Sequence, residues 1–472
     1  MDTPRSEKTH VEVSEDDKAG KYAEARSVAP SVYEKGVPVE EVDLPPDGGR
    51  GWLVVFGCII FSAATVGWGY VLEKACEQRT SLPGSFRVLS CGVLTSHQVW
   101  GVTEEYFKEH VFPDASESVL STLGSMSGMF MTLLSVIPGK LADRYGYKPF
   151  LAAGGFLWTL SMLLCVFATQ LWHWFVIMGV IQGVANALVY PLIVALPAQW
   201  FLRYRALTTG MVVAGSSLGG AVSSLIFREM LTALGLKKSF AIYTALDGSL
   251  LLAAWFMISE RRKPSERKQI IWVDRSFFSD PVFWSLGICF FFTVFGYLSP
   301  IFFLPTFAKQ KLPHLSELLA ALPVTMLNFS AAAGRTLIGF LADRIGPVNA
   351  LWSVIMLSGL TQLLVWTFVS NYAGIMAFAI MYGFVCGCFL SLSPAVAAQL
   401  WGSGRLAGLS GLMLLFNLPG NSAGAPIGGA ILNGSGGNWT AVSCYSGGLQ
   451  ILGAICLLYA RLKRQPKVLA VY

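Results

Sequence analysis

Charge is what this chain has least of. Only 13% of its 472 residues are Asp, Glu, Lys or Arg, where a soluble chain carries about a quarter. Histidine is nearly absent: His10, His97, His110, His173 and His314 are the full set, and none forms a cluster. There is no Walker loop, no HExxH and no metal-type CxxC pair, so the sequence offers no phosphate cradle or metal site. These absences argue against an enzyme, and no cofactor or metal is expected. Nine cysteines are present, seven of them within apolar runs (Cys58, Cys165, Cys289, Cys386, Cys388, Cys444, Cys456), where small apolar packing accounts for them.

What fills the chain instead is apolar. Hydrophobic residues make up 54%, the mean hydropathy is +0.57, and residues 150–202 contain no Asp, Glu, Lys or Arg. A bilayer core takes about 20 residues of helix to cross. The runs are apolar on every face, so they read as helices and not as alternating barrel strands. They fall at 51–71, 117–138, 149–170, 172–196, 207–227, 239–258, 282–304, 315–341, 348–369, 373–399, 406–432 and 441–460. The fold class expected is an all-α polytopic membrane protein with 12 transmembrane helices.

Residues 1–50 hold 12 of the 28 acids and 7 of the 34 bases, which leaves the rest with 27 bases against 16 acids, or +11. The segment 1–46 reads as a disordered cytoplasmic tail and lacks a signal-peptide pattern. With that tail inside, the inner loops and C-terminal tail hold 17 bases and the outer loops six, as the positive-inside rule requires. The basic remainder therefore points to cytoplasmic loops at a plasma membrane, with both termini inside, and not to nucleic acid. The longest charged connection, 260–280, separates a six-helix half at 47–259 from another at 281–462, followed by a tail at 463–472.

The halves repeat. Ala142-Asp143-Arg144 recurs as Ala342-Asp343-Arg344, Ala198-Gln199 as Ala398-Gln399, Gly183 as Gly383 and Arg205 as Arg405, all offset by 200. "GKLADRYGYKP" and "GFLADRIGPVN" each close the second helix of a half. This phrase resembles the signature loop of the major facilitator superfamily. Gly139, Leu141, Asp143, Arg144, Gly146 and Lys148 fit its first copy; Gly339, Asp343, Arg344 and Gly346 keep the second, which has lost its trailing base. The resemblance covers residues 47–462 and implies two six-helix bundles that rock about a central site. A carboxylate at a helix end can cap the positive N-terminus of a neighbouring helix. The family resemblance makes Gly139, Asp143, Arg144, Lys148, Asp343 and Arg344 a gating set that latches the inner side; the alternative is that these charges only fix topology.

A narrower resemblance is to the monocarboxylate transporter family, in its fungal branch. "PPDGGRGW" matches the opening motif of its first helix at Asp47, Gly48, Gly49, Gly51 and Trp52, with Arg50 in place of an aromatic, and 200–220 resembles its basic approach to the fifth helix. The family implies secondary active transport of a small organic anion or related metabolite, with a proton as the candidate coupled ion. Export, vitamin transport and a non-transporting receptor stay open.

Arg335 lies eight residues before Asp343, hence about 12 Å inside the helix end at ~1.5 Å per residue. Arginine at a helix centre costs roughly 2.5–3.5 kcal/mol on insertion scales, and its fork fits two carboxylate oxygens. The family resemblance makes it the substrate carboxylate's partner; snorkelling to the inner surface or pairing with Asp343 is the alternative. The family acid one turn earlier is replaced by Ala331, and the family lysine of the first helix by Tyr70, which removes the usual proton-coupling residues. Asn186, Tyr190, Tyr297, Asn328, Tyr382 and Asn417, with Asn421, are further polar residues inside apolar runs. They are candidates for the substrate cavity or for hydrogen bonds between helices.

Residues 71–98 do not belong to this pattern. Removing these 28 residues restores a continuous "GWGYVWGVTEEYF". Their coding length is in frame, and Val71 and Gln98 permit intron borders, so the expectation is a retained intron, with a true extracellular excursion as the alternative. The sequons at Asn433 and Asn438 fall in a short outer loop and are expected to stay unmodified.

Overall fold

The computed structural model describes residues 47–66, 117–261, 275–315, 317–402 and 406–464. The anomalous segment 71–98, the tails 1–46 and 465–472 and most of the connection between the halves lie outside the described residues.

Every one of the twelve apolar runs is helical in its described part. The first half begins with α1 (Arg50–Phe61), which widens into a π-helical turn over Ser62–Val66. It continues with α2 (Glu117–Leu134), α3 (Val136–Tyr145), α4 (Tyr147–Cys165), α5 (Gln182–Ala195), α6 (Arg205–Leu234) and α7 (Leu236–Met257). The second half comprises α8 (Pro281–Lys311), α9 (Glu317–Ile345), α10 (Pro347–Leu364), α11 (Tyr372–Cys386), α12 (Cys388–Trp401), α13 (Leu406–Leu415), α14 (Leu418–Gly434) and α15 (Trp439–Arg464).

Among the described residues, eight helical segments are long and apolar enough to cross a membrane. The other four runs are helical as well. The second is split at Ser135 into α2 and α3, and the eleventh is split beside Asn417 into α13 and α14. The first is described for only 17 residues of helix, and α6, at 30 residues, is rich in Gly, Ser and Thr.

The signature loops turn on glycine. Gly146 between α3 and α4 has φ +102°, and Gly346 between α9 and α10 has φ +94°. Side chains with a Cβ rarely adopt such angles, which gives the glycines of the repeated phrase a structural cause. Trp158, Trp174 and Trp366 are fully buried, whereas Phe156, Phe256 and Phe368 stand well exposed on the outside. An apolar exterior of that kind suits lipid and not water.

Two close helix pairs join the halves, α6 with α9 and α3 with α13. Both depend on missing side chains. A Cβ on Gly139 would lie 2.5 Å from the Ala407 carbonyl oxygen, and one on Gly339 would lie 2.6 Å from that of Ala206.

Candidate functional site

At one end of these pairs, two carboxylates reach across between the halves. Asp343, near the end of α9, accepts from the backbone N–H groups of Ala206 and Leu207, each at 2.8 Å. These residues form the first turn of α6, where N–H groups have no intrahelical partner and the helix dipole favours an anion. Asp143, near the end of α3, does the same for α13. It accepts from Gly408 N at 2.8 Å and Ala407 N at 3.4 Å, and from the Tyr147 hydroxyl at 2.7 Å. Each half thus caps a helix of the other with the Asp of its repeated phrase.

The remaining residues of the gating set do other work. Arg144 and Arg344 are exposed, and the Arg344 guanidinium lies over the Phe340 ring at 4.3 Å. Lys148 stays within the first half. Its ammonium sits 4.5 Å from the Trp255 ring centroid, its N–H donates to Glu260 and its carbonyl accepts from the Trp255 indole.

Farther along the α6–α9 pair sits Arg335, only 2% exposed. Its Nη1 donates to Ser217 Oγ at 2.6 Å, Val213 O at 3.2 Å and Ser216 Oγ at 3.4 Å. Residues 213, 216 and 217 lie on one face of α6 by helical spacing. On its other side the guanidinium packs against Gly387, the break between α11 and α12, where a Cβ would lie 2.8 Å from Nε. Arg335 therefore does not snorkel. It is clamped at the junction of the halves, on the same two helices that Asp343 ties.

Tyr297 and Tyr382 are brought together inside the second half. The fully buried Tyr382 donates to the Tyr297 carbonyl oxygen at 2.8 Å, so its hydroxyl is used within the bundle. Asn328 donates to Val324 O one turn back at 3.1 Å. Asn186 and Asn417 are both 4% exposed, and among the described residues their Oδ1 atoms have no hydrogen-bond partner. Such atoms are costly to leave unpaired and are available to a bound molecule. Tyr190 is buried in α5, one residue before its internal Pro191.

Several working residues had no distinct signal in the sequence. Ser216 and Ser217 are neutral hydroxyl residues within the apolar run 207–227. Asp247, in α7, is 1% exposed and accepts from the Trp158 indole at 2.7 Å. A carboxylate inside an apolar run is itself the signal that could have found it. The opening motif also gains a physical role. Asp47, held at φ +51°, accepts from Leu202 N at 2.6 Å and Arg203 N at 2.9 Å, and Trp52 packs edge-on to Phe201 at 4.9 Å. The motif thus fastens the loop that leads into α6.

The arrangement has relatives. The family model described as Major Facilitator Superfamily matches residues 104–355 and 314–470. The chain is 27% identical over 427 residues to the MFS transporter asaE of Aspergillus flavus, covering 90% of each protein. It is 29% identical over 386 residues to the agnestins efflux protein AgnL12 of Paecilomyces divaricatus, covering 81% of this chain and 87% of that one. The crystal structure of the human organic anion transporter MFSD10 superposes with a TM-score of 0.64 at 16% identity, covering 88% of this chain and all of the other. Matched through most of its length and carrying the fold, this multi-pass membrane chain belongs to the Major Facilitator Superfamily.

Proposed function

We propose that this transporter is a secondary active exporter of a small organic anion, of the class of fungal secondary metabolites, working by alternating access. It belongs on this reading to the monocarboxylate-transporter-like branch, and it is not an enzyme. The observation that carries the anionic cargo is Arg335, buried in the membrane where the halves meet and held there by neutral oxygens of α6. A carboxylate is a better partner for a guanidinium than a hydroxyl, since charge-assisted bonds are about twice as strong. Asn186 and Asn417, with open amide oxygens, supply acceptors for donors elsewhere on the cargo. The crossed caps of Asp143 and Asp343 supply the latch. They join the halves beside the basic loops, and the excess of Lys and Arg in those loops supports reading that side as the cytoplasmic one.

Export is supported by relatives whose names specify efflux, of agnestins in one and fujikurins in another. A coupled proton completes the reading, carried by other residues than the family's usual acid, because Ala331 stands in its place.

The test is a comparative metabolite profile of cells and medium with and without the gene, repeated with Arg335→Ala. The expected result is an acid that accumulates inside cells lacking the gene. Arg335→Ala is expected to lower its export by at least about a hundredfold, in line with an unpaired buried charge contact worth roughly 3 kcal/mol, while the protein still reaches the membrane. A carboxylate left unused in the medium would reverse the direction, and unchanged export by the variant would remove Arg335 from the site.

A further inference from the structure

Three acceptors on one face of α6 converge on a single nitrogen of Arg335, and the shortest contact is to Ser217 at 2.6 Å. The same helix pair is tied at its end by Asp343 on Ala206 and Leu207. Between these ties the backbones are almost in contact, since a Cβ on Gly210 would overlap the carbonyl oxygen of Arg335 itself. The guanidinium is also backed by Gly387, which sits between the buried Cys386 and Cys388. The pair is therefore held together by polar contacts to Arg335 and Asp343, with the backbones closely apposed at Gly210.

We propose that Ser217 holds the place of the cargo's carboxylate at Arg335, and that exchanging this hydroxyl for the anion is what releases α6 from α9. The inference rests on the anionic reading given above and adds the residue that couples occupancy to opening. A carboxylate outcompetes a serine hydroxyl for a guanidinium because its bond carries charge and its two oxygens fit the fork. Once the guanidinium turns to the anion, α6 loses its bonds to Arg335 while the terminal cap to α9 stays, and the junction opens when cargo is present.

Cys386 and Cys388 report the opening without a known cargo. In full-length protein in lipid nanodiscs, N-ethylmaleimide labelling of these two thiols is followed by peptide mass spectrometry, with benzoate as the anion and benzamide as its uncharged control. Buried thiols label slowly, so the wild type is expected to be slow. Ser217→Ala is expected to label about tenfold faster, as the loss of one strong hydrogen bond implies. Ser217→Thr, which keeps the hydroxyl, is expected to stay slow and shows that packing alone is not the cause. Benzoate is expected to accelerate the wild type and leave Arg335→Ala unchanged; benzamide is expected to do nothing. Labelling of Ser217→Ala at the wild-type rate overturns the proposal, even where benzoate still acts through Arg335 and the anionic reading survives. Fast labelling of Ser217→Ala with no benzoate effect on any variant overturns the exchange together with the anionic reading.

Discussion

The α6–α9 and α3–α13 junctions are built on one plan and differ in their chemistry. Each has an Asp from the repeated phrase capping a helix of the opposite half, and each has a glycine pressed against the partner backbone. At the position eight residues before the Asp they part company. The α6–α9 junction has Arg335, with three acceptors on α6. The α3–α13 junction has Ser135 at the corresponding offset of 200, and its hydroxyl contacts Gly411 O at 3.2 Å and Thr132 O at 3.0 Å. The caps differ too. Asp343 gives one oxygen to each of two N–H groups at 2.8 Å, whereas Asp143 has one short and one long N–H bond and shares an oxygen with Tyr147. Pseudo-symmetry fixes the hinge-like scaffold twice, and the charged chemistry is placed on one side of it.

That comparison can be broken at its common part first. Gly339→Leu and Gly139→Leu each force a side chain into a backbone carbonyl, and overpacking of this kind costs about 1–3 kcal/mol or more. Both are expected to abolish export and lower the melting temperature of the detergent-purified protein, to a similar extent. A large inequality would show that one junction tolerates separation.

The carboxylates probe the difference. Asp343→Asn removes the charge from a cap with two equal bonds, at about 1 kcal/mol, and is expected to reduce export roughly fivefold. Asp143→Asn is expected to have the smaller effect. Equal losses would mean that Tyr147 strengthens the Asp143 cap enough to offset its longer bond. The smallest effect is expected for Tyr147→Phe, which removes one hydrogen bond worth about 0.5–1.5 kcal/mol. It is read as a melting-temperature decrease with export nearly unchanged, and a loss of export comparable to Asp143→Asn would promote Tyr147 to the latch itself.

Much of the architecture was legible because membrane helices announce themselves by composition. The twelve runs, the break into halves and the 200-residue offset are all one-dimensional signals, and each has its helix. The places where a run fails to be a simple span were harder to read. Ser135 and Asn417 interrupt helices with a proline two or three residues downstream, Pro138 and Pro419, whereas Gly387 does so without one. The candidate site was legible in part. Arg335 and the two aspartates stood out because charge is rare. Their partners did not, since backbone N–H groups at 206–207 and 407–408 have no side-chain identity to recognise. Tyr382 was open to the cavity or to a bond between helices, and its hydroxyl makes a bond of the second kind, to the Tyr297 carbonyl oxygen. Asp247 interrupts the apolar run 239–258, but only packing decides that its partner is the Trp158 indole.

The sequence by itself determined that this chain lives in a membrane, that its helices come in two related sets, and that a few charges sit where charges are expensive. Hydrophobicity and periodicity act locally, so they can be read in order along the chain. Only the tertiary structure decided which helix each of those charges holds. A hydrogen bond between Asp143 and Gly408 spans 265 residues, and that pairing exists only once the two bundles meet.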